Sequence, residues 1–171
     1  MRLLRFLAAS AITLLLAGCA GYHLGPANSG VRAGEESVEV LPFNNQTLQP
    51  RLGSALTQAL REQLQTDGTY RLATHGAGDV VVTGVITRYG HQAVSFLSSD
   101  VSTPGDYRVT MTAHVTAREH ATGKMLLDKS VTGETLVHVG SDLMNSERQA
   151  VPLLANDLAQ NITELLTEGG W

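Results

Sequence analysis

The sequence predicts an α+β domain, a two-layer sandwich of two amphipathic helices packed on one face of a mostly antiparallel sheet. The sheet has about four strands, and the element order is β-α-β-β-β-β-α. Three patterns carry that expectation. Leu52, Ala55, Leu56, Ala59, Leu60 and Leu64 recur at helical spacing, as do Ala150, Leu154, Leu158, Ile162 and Leu165. Tyr107, Val109, Met111, Ala113, Val115 and Ala117 alternate with Arg108, Thr110, Thr112, His114, Thr116 and Arg118, the period-2 signature of a half-buried strand. Ala121-Thr-Gly-Lys124 then makes a hairpin turn, which sets the flanking strands antiparallel.

In chain order, residues 1–18 come first and read as a lipoprotein signal peptide. Arg2 and Arg5 form a positive start, and Phe6 to Ala17 form an apolar run shorter than the ~20 residues of a membrane span. The run ends in Leu16-Ala17-Gly18-Cys19, small residues before the only cysteine of the chain, where a peptidase cuts and the thiol takes diacylglycerol. Several acyl chains, at ~0.8 kcal/mol per buried CH₂, hold such a protein to the membrane and retire Cys19 from other chemistry. Ala20, where an Asp would favour the inner membrane, favours the outer one. Residues 19–36, with Gly25, Pro26, Gly30 and Gly34, read as a lipidated tether, and residues 37–171 as a single α+β domain.

Within the domain, Ser37 to Phe43 is a first strand, with Val38, Val40 and Pro42 alternating against Glu39 and Leu41. Phe43-Asn-Asn-Gln-Thr47 turns into the first helix, over Pro50 to Gln65, and Asp67-Gly68 closes it. Thr69 to Thr74 is a short strand, and Asp79 to Tyr89 is the most apolar one. A loop is expected from Gly90 to Asp106, whose apolar tip with Phe96 and Leu97 reads either as a partner-inserting loop or as a fifth short edge strand or packed flap. After the alternating strand and its hairpin, a last strand runs from Met125 to about Val139. The closing helix, about Glu147 to Thr167, takes Asn145 or Ser146 as its cap and ends at Gly169-Gly170. Two helices cover one sheet face, so the Thr-rich face of Arg108 to Arg118, joined by Asp128, Ser130, Thr132 and Glu134, is left open.

Composition narrows the function. The chain has 171 residues, 43% hydrophobic and 16% charged, which suits one compact domain, and its charge of −4 argues against a nucleic-acid footprint. One cysteine excludes a disulfide framework and any zinc site of cysteine pairs. Six histidines are present, but His91, His114 and His138 belong to no ligand spacing, so neither metal nor cofactor is expected. Gly76-Ala-Gly78-Asp79 precedes a strand rather than a helix and reads as a turn, not a phosphate loop. No nucleophile elbow or paired acids stand out, so no enzyme is expected.

Gly21-Tyr22-His23-Leu24-Gly25 directly after the cysteine, then "VEVLPFNNQT", "GDVVVTGVITRYG", "YRVTMTAHVTA" and "TGKMLL", resemble the lipopolysaccharide-assembly lipoprotein family LptE (rare lipoprotein B). The resemblance implies a non-enzymatic domain seated as a plug in a large outer-membrane β-barrel lipopolysaccharide translocon. There it helps the barrel assemble and binds lipopolysaccharide. A polar lumen suits a Thr-rich open face. Phosphorylated headgroups need local cations, for which Arg88, Arg108, Arg118, Lys124 and Lys129 are the candidates. "VLPFNNQT" before a helix is also similar to small lipoproteins that activate peptidoglycan synthases or form secretion pores, which is the alternative.

Overall fold

A computed structural model of the chain describes residues 35–97, 100–138 and 143–168. Its elements are β1 (Ser37–Val40), β2 (Asn44–Asn45), α1 (Leu52–Asp67), β3 (Arg71–Leu72), β4 (Val80–Leu97), β5 (Asp100–Glu119), β6 (Met125–His138) and α2 (Leu143–Thr167). The α+β sandwich expected from the sequence is present, but its sheet has six strands rather than about four. Their order is β3-β1-β4-β5-β6, with β2 also on β4. The β1, β2 and β3 pairings are parallel, and β4-β5-β6 is antiparallel. The piece not expected is the two-residue β2, too short to show a period, while β3 falls within the short strand expected over Thr69 to Thr74.

The helices form where their apolar stripes need cover. Leu52, Leu56, Leu60 and Leu64 are fully buried, each contributing about 1.5–3 kcal/mol. The Gly68 N–H bonds the Leu64 carbonyl, so Asp67-Gly68 does close α1. The start of α1 is pinned by Thr57, whose hydroxyl donates to the Gly53 carbonyl and accepts the Phe43 N–H at 3.0 Å. A side chain at Gly53 would strike the Phe43 carbonyl, so only glycine lets the turn after β1 dock here. In α2, Ala150, Leu154, Leu158 and Ile162 are buried as expected, but Leu166 takes the deepest place instead of Leu165, which is half-buried. Helix α2 also begins at Leu143, so Asn145 and Ser146 lie within it and do not cap it, and residues 169–171 lie outside the described residues.

Along β5 the expected alternation holds: Val109, Met111, Ala113, Val115 and Ala117 are buried beneath the helices. In β4, Val80, Val82 and Ile86 face the same core until a register shift between Ile86 and Arg88. One extra residue reverses the facing, so Tyr89, opposite Met111, packs on the core side and Arg88, opposite Thr112, on the open side. The start of the sheet is locked by Ser37 and Asp79. The Ser37 N–H and hydroxyl donate to the carboxylate at 2.8 and 2.6 Å, and the Asp79 N–H donates to the Ser37 hydroxyl at 3.0 Å. These bonds hold the Asp79 carboxyl below its usual pKa.

Of the segment 90–106, residues 98 and 99 lie outside the described residues and the rest is strand rather than loop. Residues 90–97 and 100–106 continue β4 and β5 as a hairpin arm, with shifts at Ala93/Ser95, Ser95/Phe96 and Phe96/Leu97. Those bulges, with Pro104 and Gly105, scramble the alternation that marks a strand in sequence.

Candidate functional site

The sheet face turned away from the helices is built by the second parity of β4, β5 and β6. The register sets Arg88 opposite Thr112, Thr110 opposite Glu134, Thr112 opposite Thr132, His114 opposite Ser130 and Thr116 opposite Asp128. Hydroxyls link the strands: Thr83 meets Thr116 at 2.7 Å, and Thr112 meets Thr132 at 2.9 Å. Polar and charged side chains meet across or diagonally. Arg108 Nε lies 3.6 Å from Glu134, His114 Nε2 lies 3.0 Å from Asp128, and His138 Nδ1 lies 2.7 Å from Asp106. At the rim, Leu41, Pro42, Thr83, Val85, His114 and Thr116 line a shallow depression of about 290 Å³.

Two arrangements bear on chemistry. Asp106 accepts from the Ser95 hydroxyl and pairs with His138, and those contacts hold its carboxyl below the usual range. The carboxylate thus stands between serine and histidine. A nucleophilic serine needs the imidazole itself within reach of its hydroxyl, so this trio ties the arm to β6 rather than activating Ser95. Among the described residues no group of three or more His, Cys, Asp or Glu is placed to hold a metal. His91 lies opposite Val109 on the core side, edge-on to the Tyr107 ring at 5.5 Å. His114 and His138 are on the other side, eight register positions apart along the β5–β6 seam, about 26 Å.

The five candidate cations do not form one cluster. Arg88, Arg108 and Arg118 share the open face, but Arg108 and Arg118 are ten residues apart on β5, about 33 Å. Lys124 is exposed at the β5–β6 turn. Lys129 lies opposite the buried Val115, so it belongs to the helix-side face at the sheet margin. Phe96 is 55% exposed near the end of the arm, and Leu97 ends β4 opposite Asp100. Cys19 lies outside the described residues.

Sequence reasoning passed over a hollow of about 700 Å³ at the start of α1, lined by Gln49, Pro50, Arg51, Arg148 and Val151. It brings together residues about 100 positions apart, which no local pattern signals.

A family model described as Lipopolysaccharide-assembly, LptE, matches residues 36–166, nearly the whole described domain. No curated protein matches the chain in sequence. Among solved structures, a hypothetical protein from Chlamydia trachomatis shares the fold at 11% identity and TM-score 0.56, covering 77% of this chain and 95% of that one. A Xanthomonas campestris protein matches at 10% identity and TM-score 0.56, over 86% of this chain and 93% of that one. A minor lipoprotein from Acinetobacter baumannii matches at 13% identity and TM-score 0.51, over 77% and 92%. At such identities these three speak for the sandwich alone. The family model spans that same sandwich from β1 to the last turn of α2, and on that match the chain belongs to the lipopolysaccharide-assembly family, LptE.

Proposed function

We propose that this chain is an outer-membrane lipoprotein, acylated at Cys19 and tethered by residues 19–36, that partners a large β-barrel translocon in lipopolysaccharide assembly. In this reading the domain of residues 37–171 occupies the barrel lumen, assists the barrel's folding and contacts lipopolysaccharide, without catalysing a reaction. The family match over residues 36–166 carries the reading. The open face supports it: rows of threonine hydroxyls and paired polar side chains suit a polar lumen, where every surface meets hydrogen-bonding groups. The arm, with Phe96 exposed, is the segment proposed to insert into the partner. Arg88, Arg108, Arg118, Lys124 and Lys129 are the proposed contacts to lipid phosphates or the barrel; their spacing requires separate contacts rather than one headgroup site.

A mild-detergent pull-down through a C-terminal tag tests the partner. A heat-modifiable barrel is expected. Recovery of a penicillin-binding protein instead would establish the alternative, a regulator of peptidoglycan synthesis. For the lipid, R108E/R118E is expected to weaken lipopolysaccharide binding, and unchanged affinity would remove both arginines from the proposal.

A further inference from the structure

Strand β6 ends the strand order, so one side of its backbone faces no strand of this sheet. Such an edge is a template for another strand. Here its middle is occupied by side chains of α2. The Glu134 N–H donates to Asp157 Oδ2 at 2.8 Å, and Asn161 Nδ2 donates to the Thr132 carbonyl at 3.1 Å. Asp157 and Asn161 are one helical turn apart, so they stand side by side on the helix. Between Thr132 and Glu134 lies Gly133. A Cβ there would come within 2.7 Å of the Leu158 N and Cβ, so the missing side chain is what brings α2 level with the edge.

We infer that Asp157 and Asn161 are edge guards, which keep β6 from adding a β-strand of a second copy of this chain. Thr132 and Glu134 are exposed, so water would also satisfy these backbone groups, at only a small loss per bond. What the two side chains change is access. The edge itself suits a second copy: an antiparallel pair of β6 strands centred on Thr132 sets Leu127 opposite Val137 and Lys129 opposite Thr135, with no like charges opposed.

Oxidative cross-linking of full-length protein in mild detergent tests this. T132C in the D157A/N161A background is expected to form a disulfide-linked dimer, because the self-pair places position 132 against itself, whereas T132C alone stays monomeric. Equal dimer yield in both backgrounds, or none in either, would overturn the inference. A readout independent of the variants' folding is hydrogen exchange of the unaltered chain. The Glu134 amide should exchange about tenfold more slowly than the next outward amide on β6, that of Leu136. Equal rates at the two amides would also overturn it.

Discussion

Gly133→Ala is the substitution whose sign the structure decides most clearly. Strand propensity alone argues for a gain, since replacing a glycine inside a strand relieves about 0.5–1 kcal/mol of backbone entropy. Packing argues the other way. The new methyl would stand 2.7 Å from the Leu158 N and Cβ and 2.9 Å from its Cα, whereas carbon contacts settle near about 3.5–4.0 Å. These are atoms at the root of a helical residue, not the end of a flexible side chain, so α2 must retreat by about 1 Å. Overpacking of this kind costs about 1–3 kcal/mol. The retreat also stretches the Glu134–Asp157 and Thr132–Asn161 bonds, each contributing about 1 kcal/mol. The net expectation is a loss of about 3 kcal/mol, and a fall in Tm of about 10 °C for a domain of this size. Thermal unfolding followed by circular dichroism measures it. Gly90→Ala is the control, since nothing lies within 4 Å of a Cβ there, and it should leave Tm almost unchanged. If Gly133→Ala melts level with the unaltered protein or above it, the close approach of α2 to β6 is wrong.

Arg51 holds φ 65 as the N-cap of α1 with no side-chain cap bond, so Arg51→Gly should raise stability by about 1 kcal/mol in denaturant unfolding. Tyr70→Phe removes a buried bond to the Leu166 carbonyl at 3.1 Å and should cost about 1 kcal/mol. Burial pushes the Tyr70 hydroxyl up to about 12, so the unaltered protein should lose stability as pH rises from about 10 toward 12, a loss that Tyr70→Phe abolishes. Asp79 is held below its usual pKa by the Ser37 bonds, so its contribution is present above about pH 4 and lost as pH falls through the depressed value. Ser37→Ala should therefore flatten the acid limb of a stability–pH curve, and an unchanged limb would show that this pair does not govern acid unfolding.

The layered fold was legible because one-sided burial writes a period into the chain. The apolar parity of β5 from Val109 to Ala117, all but the half-buried Tyr107, and nearly every leucine of the two helical stripes are buried where the period puts them. Failure came where the period is broken or too brief. The arm hides behind three register shifts and Pro104, while β2 is shorter than any repeat. The open face was readable as a face, including Asp128 and Glu134, but the cations on it were not readable as a set. Lys129 falls on the other side by parity alone, and the distance between Arg108 and Arg118 follows from their sharing one strand. Gly133 gave no signal in sequence, because its reason is a helix 25 residues further along.

The same register explains why net charge is a poor guide to this surface. Arg108 pairs with Glu134, while His114 and His138 stand within hydrogen-bond reach of Asp128 and Asp106, so most charged groups of the open face have a near partner. Among the described residues, Arg88 and Arg118 lie on that face and enter none of these ion pairs. In the proposed role, such a surface would engage the barrel by short-range matching of hydroxyls, with Arg88 and Arg118 as local cations. Such contacts suit an occupant confined with its partner, as the proposed plug would be, better than one that must find a free anionic ligand by diffusion.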